Sequence, residues 1–210
     1  MPLDLEEQEK VAELRAWWNQ NGTLIMAVIT AVALAVAGWS AWQWHARSQA
    51  AEASALYETL SRAAQEGDAK ALRDAGGTLV ESYPRTLYAS MGALLSARYY
   101  FDRGDLKNAK AQLQWVVEHA RSDDFRDIAR LRLGAVLLDE KAYDDALKQA
   151  DAPHGAAFDA QFAALKGDIL AAKSQPEEAK AAYRVALEKA GSSERAFRDS
   201  VRIRLEGLGG

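Results

Sequence analysis

The sequence predicts an all-α protein, with one N-terminal membrane-spanning helix followed by a solenoid of paired helices. Three observations carry this. Residues 23–44, TLIMAVITAVALAVAGWSAWQW, form an apolar run, and no Asp, Glu, Lys or Arg occurs from Ala16 through Ala46. After it, segments made of a short polar turn and a helix start return at nearly constant spacing. Finally, the chain has only 4 Pro in 210 residues, is rich in Ala and Leu, and has few β-branched residues beyond the apolar run. That composition favours helix over strand.

Residues 1–22 read as a cytoplasmic tail with a short helix over 3–20, in which Leu14 and Trp18 share a face. Asn21-Gly22 is either a stop signal or a point where the helix runs on. The tail is acidic: Asp4, Glu6, Glu7, Glu9 and Glu13 stand against Lys10 and Arg15, which accounts for most of the net charge of −4. The remainder is near neutral and offers no field for nucleic acid or an acidic substrate.

Residues 23–44 are long enough to cross the hydrocarbon core as a helix, which satisfies its own backbone hydrogen bonds where there is no water. Five of the 6 tryptophans bracket the run: Trp17 and Trp18 before it, Trp39, Trp42 and Trp44 at its end. Helical rise sets Trp18 and Trp39 roughly 30 Å apart, the thickness of the hydrocarbon, so both groups reach the headgroup zone that Trp prefers. A cleaved signal peptide has a shorter core behind a basic segment, whereas the segment here is long and acidic, so the span is expected to stay as an anchor. Lys10, Arg15 and the amino terminus outweigh Arg47 and the more distant Arg62, which places the N-terminus in the cytoplasm. Ala27, Ala31, Ala35 and Gly38 follow small-xxx-small spacing, a strip on which a second helix can approach closely.

Residues 45–210 form the repeat domain, about four helix pairs and a closing helix. Ala53, Leu56, Tyr57 and Leu60 open it at helical spacing. The segment EGDAKAL (66–72) returns in character as RGDLKNA (103–109), EKAYDDA (140–146) and SQPEEA (174–179). Its turn positions Gly67, Gly104, Lys141 and Ser174 are 37, 37 and 33 residues apart, a paired-helix period. The unit resembles the tetratricopeptide repeat. The fourth unit shows Gly167, Leu170, Ala179, Tyr183 and Ala186, and the second Ala97, Tyr100, Ala109 and Leu113. The third shows Leu133-Gly134, Leu137 and Ala146, with its second helix cut short by Asp151-Ala152-Pro153. The first is degenerate, with Leu72 where Ala is usual and Pro84 at its expected end. Residues 194–206 are the closing helix, with Phe197, Val201 and Leu205 inward and Arg195, Arg198 and Arg202 outward.

The whole chain is similar to the YfgM family of bacterial inner-membrane proteins. The likeness rests on EKVAELRAWWNQNG running into a single span, GWSAWQW at its exit, and a degenerate repeat domain after it. It implies a periplasmic repeat domain, association with the SecYEG translocon, and partnership with the membrane-anchored chaperone PpiD, with periplasmic proteins as clients.

Catalytic signatures are missing. There is no cysteine, and His45, His119 and His154 have no second ligand at metal spacing. His119 is expected near a helix end and His154 in a turn. Gly76-Gly77 interrupts a helical pattern and is no phosphate loop. Asp123-Asp124 and Asp144-Asp145 fall at helix starts, where carboxylates meet the dipole. The reading is therefore a protein that is not an enzyme, with no cofactor, no metal and no small-molecule substrate. Aligning the units to the repeat turns Tyr57, Met91, Leu94, Phe101, Ile128, Leu131 and Leu138 toward the concave face as an apolar partner-binding groove. A second functional class is a regulatory adaptor that sequesters a signalling protein in a stress response through the acidic tail. Deleting residues 1–15 separates the two, since only the adaptor would lose its partner.

Overall fold

The computed structural model describes residues 5–209, with side chains from Gln8 onward. All regular structure among these residues is helical: α1 Leu5–Glu66, α2 Ala69–Ser82, α3 Leu87–Phe101, α4 Leu106–His119, α5 Asp123–Asp139, α6 Tyr143–Ala150, a 3-10 turn Ala156–Phe158, α7 Asp159–Ala172, α8 Pro176–Lys189 and α9 Arg195–Gly207. The chain divides into two compact units, residues 1–49 and residues 50–210.

In the first unit α1 runs through Asn21-Gly22 without a break. The Asn21 side chain donates to the Trp17 carbonyl at 3.0 Å, and the Trp18 ring lies over Gly22, where a Cβ would meet it at 3.1 Å. The first residues of the expected N-terminal helix, Leu3 and Asp4, lie outside the described residues. The apolar stretch is long enough to cross a membrane and none of it is covered by protein. The mid-span hydroxyl of Thr30 bonds back to the Met26 carbonyl at 2.8 Å, so it needs no water. Ala27, Ala31, Ala35 and Gly38 stand exposed, and space around Gly38 is open. All five bracketing tryptophans are exposed, with Trp39 and Trp42 in ring contact at 5.4 Å.

In the second unit the end of α1 shares a core with α2 through Leu60, Ala63, Leu72 and Leu79, α3 pairs with α4, α5 with α6, and α7 with α8, while α9 packs on α8. Two positions, one on each helix, recur through the four pairs and explain the close packing. Leu60, Ala97, Gly134 and Gly167 are buried on the first helices, and Leu72, Ala109, Ala146 and Ala179 on the second. In the first pair both positions carry Leu, and the extra volume is taken up by glycines. A Cβ on Gly76 would stand 3.4 Å from Leu60 Cδ1, and one on Gly92 3.2 Å from Leu60 Cδ2 and 2.7 Å from Leu79 Cδ1. Gly76-Gly77 therefore does not interrupt α2, correcting the expectation from sequence. Gly76 sits buried in mid-helix, where a Cβ would crowd the Ser96 hydroxyl of α3 at 3.1 Å and touch Leu60 of α1.

The turns inside the pairs share one geometry. Gly67, Gly104, Lys141 and Ser174 all have positive φ, at 79°, 74°, 61° and 61°. In each, the next residue's N–H reaches back to the first helix: Asp68 to Ala63, Asp105 to Tyr100, Ala142 to Leu137 and Gln175 to Leu170, all at 2.9 Å. This is the left-handed helix termination that satisfies otherwise orphaned carbonyls.

The third pair is cut short. α6 has 8 residues, and the chain leaves it through Asp151 into a loop carrying Pro153. The buried carboxylate of Asp127, 2% exposed, accepts the Gly155 N–H at 2.9 Å and faces Arg130 at 3.3 Å; Arg130 in turn donates to the Pro153 carbonyl at 2.9 Å. His154 stacks on Phe162 at 4.0 Å. Beyond it, Asp168 of α7 accepts from Tyr183 of α8 at 2.8 Å and from Arg204 of α9 at 2.7 Å, tying three helices together. Burial and the Asp168 carboxylate push the Tyr183 phenol well up from its ordinary value. Phe197, Val201 and Leu205 do face inward. Arg198, expected outward, is half-buried and donates to the Leu187 and Ala190 carbonyls at 2.7 and 2.9 Å, closing the end of α8.

Candidate partner-binding groove

The first helices of the second and third pairs, α3 and α5, border a cavity of about 300 Å³ floored by Leu113 of α4. The α3 side is Ala97, Arg98, Phe101 and Asp102, which are adjacent over one helical turn. The α5 side is Arg132, Ala135 and Val136. Small residues keep the space open: Ala97 is buried where α3 meets α4, and the methyl of Ala135 is too short to fill the gap. The floor is apolar and the rim is charged.

Of the seven residues expected to line a groove, this cavity takes only Phe101, which is 41% exposed. Leu94 is 7% exposed and belongs to the core with Ala93, Ala97 and Leu113, so its assignment to a free surface is corrected. Ile128 packs on that same core. Leu131 and Leu138 pack around Ala146, Leu165 and Ile169, and Tyr57 packs on the first core with its ring 5.9 Å from that of Tyr88. Met91 is half-buried. A strict 37-residue shift pairs Phe101 with Leu138, but the residues across the cavity from Phe101 lie up to two turns earlier on α5. Equal positions in successive repeats therefore do not face one another.

Arg98, Asp102 and Arg132 were not among the expected residues. The i, i+4 pair Arg98–Asp102 was visible in the sequence, and its side chains meet at 3.6 Å. Arg132 makes no hydrogen bond or ion pair among the described residues. Partial burial, and secondarily the like charge of Arg98, lower its pKa from the ordinary guanidinium value. The cavity is thus apolar at its base with excess positive charge at its mouth.

Asp123-Asp124 and Asp144-Asp145 lie in the first turns of α5 and α6, and His119 in the last turn of α4, its ring nitrogen 3.0 Å from the Trp115 carbonyl. Among the described residues no cluster of His, Cys, Asp or Glu could hold a metal ion.

The family model of the tetratricopeptide repeat-like domain matches residues 15–210. A protein of Neisseria gonorrhoeae named "Ancillary SecYEG translocon subunit" is 33% identical over 190 residues, covering 90% of this chain and 91% of that protein. Proteins with the same name from Haemophilus influenzae and Escherichia coli are 32% and 28% identical, over 92% and 87% of this chain and 95% and 88% of their own lengths. No solved structure matches significantly. A matching repeat domain, the order of its parts and near full-length similarity converge: the chain belongs to the YfgM family of tetratricopeptide repeat-like proteins.

Proposed function

We propose that this protein is a non-enzymatic inner-membrane scaffold associated with the SecYEG translocon, which holds emerging clients near periplasmic chaperones of the PpiD type. The observation that carries the reading is the shared name of relatives aligned over nearly their whole lengths. Residues 1–22 are cytoplasmic, residues 23–44 cross the membrane once, and residues 45–210 stand in the periplasm. The uncovered apolar stretch of α1 and its two Trp groups support the single span. Ala27, Ala31, Ala35 and Gly38 give a translocon helix a surface for close approach. The repeat unit supplies the second contact through Phe101 and the cavity beside it, while the other apolar residues of α3 and α5 hold the helices in place.

Topology and partnership are tested in one strain. Protease added to spheroplasts should digest residues 50–210 and spare the amino terminus. A photoreactive amino acid at Ala31 should trap translocon subunits, and one at Ala135 a chaperone or client. Full protection from protease overturns the orientation. Absence of translocon subunits from both the crosslinked and the co-purified material overturns the scaffold role.

A further inference from the structure

We propose that the cavity between α3 and α5 recognises a polypeptide segment in which a Leu or Phe side chain stands beside a carboxylate, the apolar side chain entering the cavity and the carboxylate meeting Arg132. The inference rests on the scaffold reading and adds the chemistry of what is held.

The base of the cavity, formed by Ala97, Leu113, Ala135 and Val136 with Phe101 at its edge, offers only apolar contact. Its volume of about 300 Å³ is at the small end of ligand sites, suited to a side chain or two rather than to a folded surface. Burying one Leu or Phe there strengthens binding by about ten- to a hundredfold, too little for stable capture alone. The rim supplies direction. Arg98 has Asp102 at 3.6 Å, but Arg132 has no carboxylate of its own and faces a like charge. Arg98 and Asp102 also border a second cleft, between the end of α1 and α3, which brings Arg103 within the same neighbourhood. The Arg103 guanidinium lies 3.5 Å above the Tyr99 ring, which holds it in place. Three guanidiniums against one carboxylate leave the two adjoining clefts positive, although the chain as a whole is negative. A guanidinium with unused donors binds a carboxylate bidentately, and a partly desolvated site strengthens that bond. An entering carboxylate would also relieve the repulsion between Arg98 and Arg132. An apolar base with a cationic rim therefore selects a segment that is both apolar and acidic.

The test uses the full chain in detergent micelles and isothermal titration with acetylated, amidated octapeptides of Gly and Ser carrying a central Leu-Glu, Leu-Lys or Ser-Glu pair. Leu-Glu should bind about tenfold tighter than either control. Arg132→Gln should abolish the preference for Leu-Glu over Leu-Lys, and Arg132→Glu should reverse it. Ala135→Phe, which fills the cavity, should abolish the preference for Leu-Glu over Ser-Glu. Arg132 is at the surface, so unchanged helical melting of its variants separates recognition from folding. Equal binding of Leu-Glu and Leu-Lys, or no binding of any peptide, overturns the inference. If the wild-type chain in nanodiscs containing phosphatidylglycerol loses peptide binding that it shows in phosphatidylcholine alone, the guanidiniums serve a lipid surface and the inference is also overturned. Recovery of the translocon by Arg132→Glu in either failure leaves the scaffold reading standing.

Discussion

The turns of the first two helix pairs and those of the last two trace the same path with different residues. Gly67-Asp68 and Gly104-Asp105 combine a glycine in the left-handed conformation with an aspartate that caps the following helix. Asp68 accepts from the Lys70 and Ala71 N–H groups, and Asp105 from that of Asn108. Lys141-Ala142 and Ser174-Gln175 have neither the glycine nor a capping side chain, although Pro176 opens α8. Yet all four turns make the same hydrogen bond back to the first helix. The conformation is imposed by the packing of each pair and is only made easier by Gly-Asp. Local chemistry and tertiary packing are therefore separable here, and substitutions can shift the balance in either direction.

The largest effect should come from Gly104→Val. Nothing lies within 4 Å of a Cβ at this position, so backbone strain alone is read. A β-branched residue held at φ 74° should cost about 2 kcal/mol, seen as a lower Tm of the repeat unit by circular dichroism. Removing a cap is next: Asp68→Ala should cost about 1 kcal/mol, since two N–H groups lose their acceptor, while Ala142, which caps nothing, offers no equivalent loss. In the opposite direction, Lys141→Gly should stabilise by roughly 0.5 kcal/mol, because relief at φ 61° is partly offset by greater freedom of the unfolded chain. The smallest effect is on pH. The Asn108 side chain and then its backbone N–H hold the Asp105 carboxyl below its ordinary value. The folded state thus favours the charged form, so this stabilisation is complete above the ordinary carboxylate pKa of about 3.9 and is lost as pH falls through the lowered value. Between about pH 5 and about pH 2, Asp105→Ala should lose less Tm than the parent chain does. An equal loss would show that the cap does not titrate with folding.

The repeat spacing made the turns legible, because a left-handed residue followed by a helix start leaves a mark even where glycine is replaced. It also exposed the paired small residues and the early end of α6. Two things were hidden. Gly76-Gly77 resembles a breaker until Ser96 and Leu60 are seen close over Gly76 from the two neighbouring helices, a contact between residues far apart in sequence. The groove was misplaced for a related reason. Periodicity tells which residues occupy equivalent positions, but not which face one another across two helices that are offset. Leu94 therefore went to the core, and Arg132, a charged residue within an apolar stripe, went unnoticed.

The Asp127 carboxylate has a consequence for how the repeat unit comes apart. In a linear array each unit leans on its neighbours, and a weak seam lets the two sides melt independently. An α6 of 8 residues would create such a seam between the third and fourth pairs. Asp127 on α5 instead grips the segment that leads into α7, across 28 residues of chain. A buried carboxylate that loses its partners is costly, so neither side can open without disturbing the other. The carboxylate adds a polar tie to the apolar packing of Leu131, Leu138 and Ala146 against Leu165 and Ile169, and the two halves are expected to unfold in one cooperative transition.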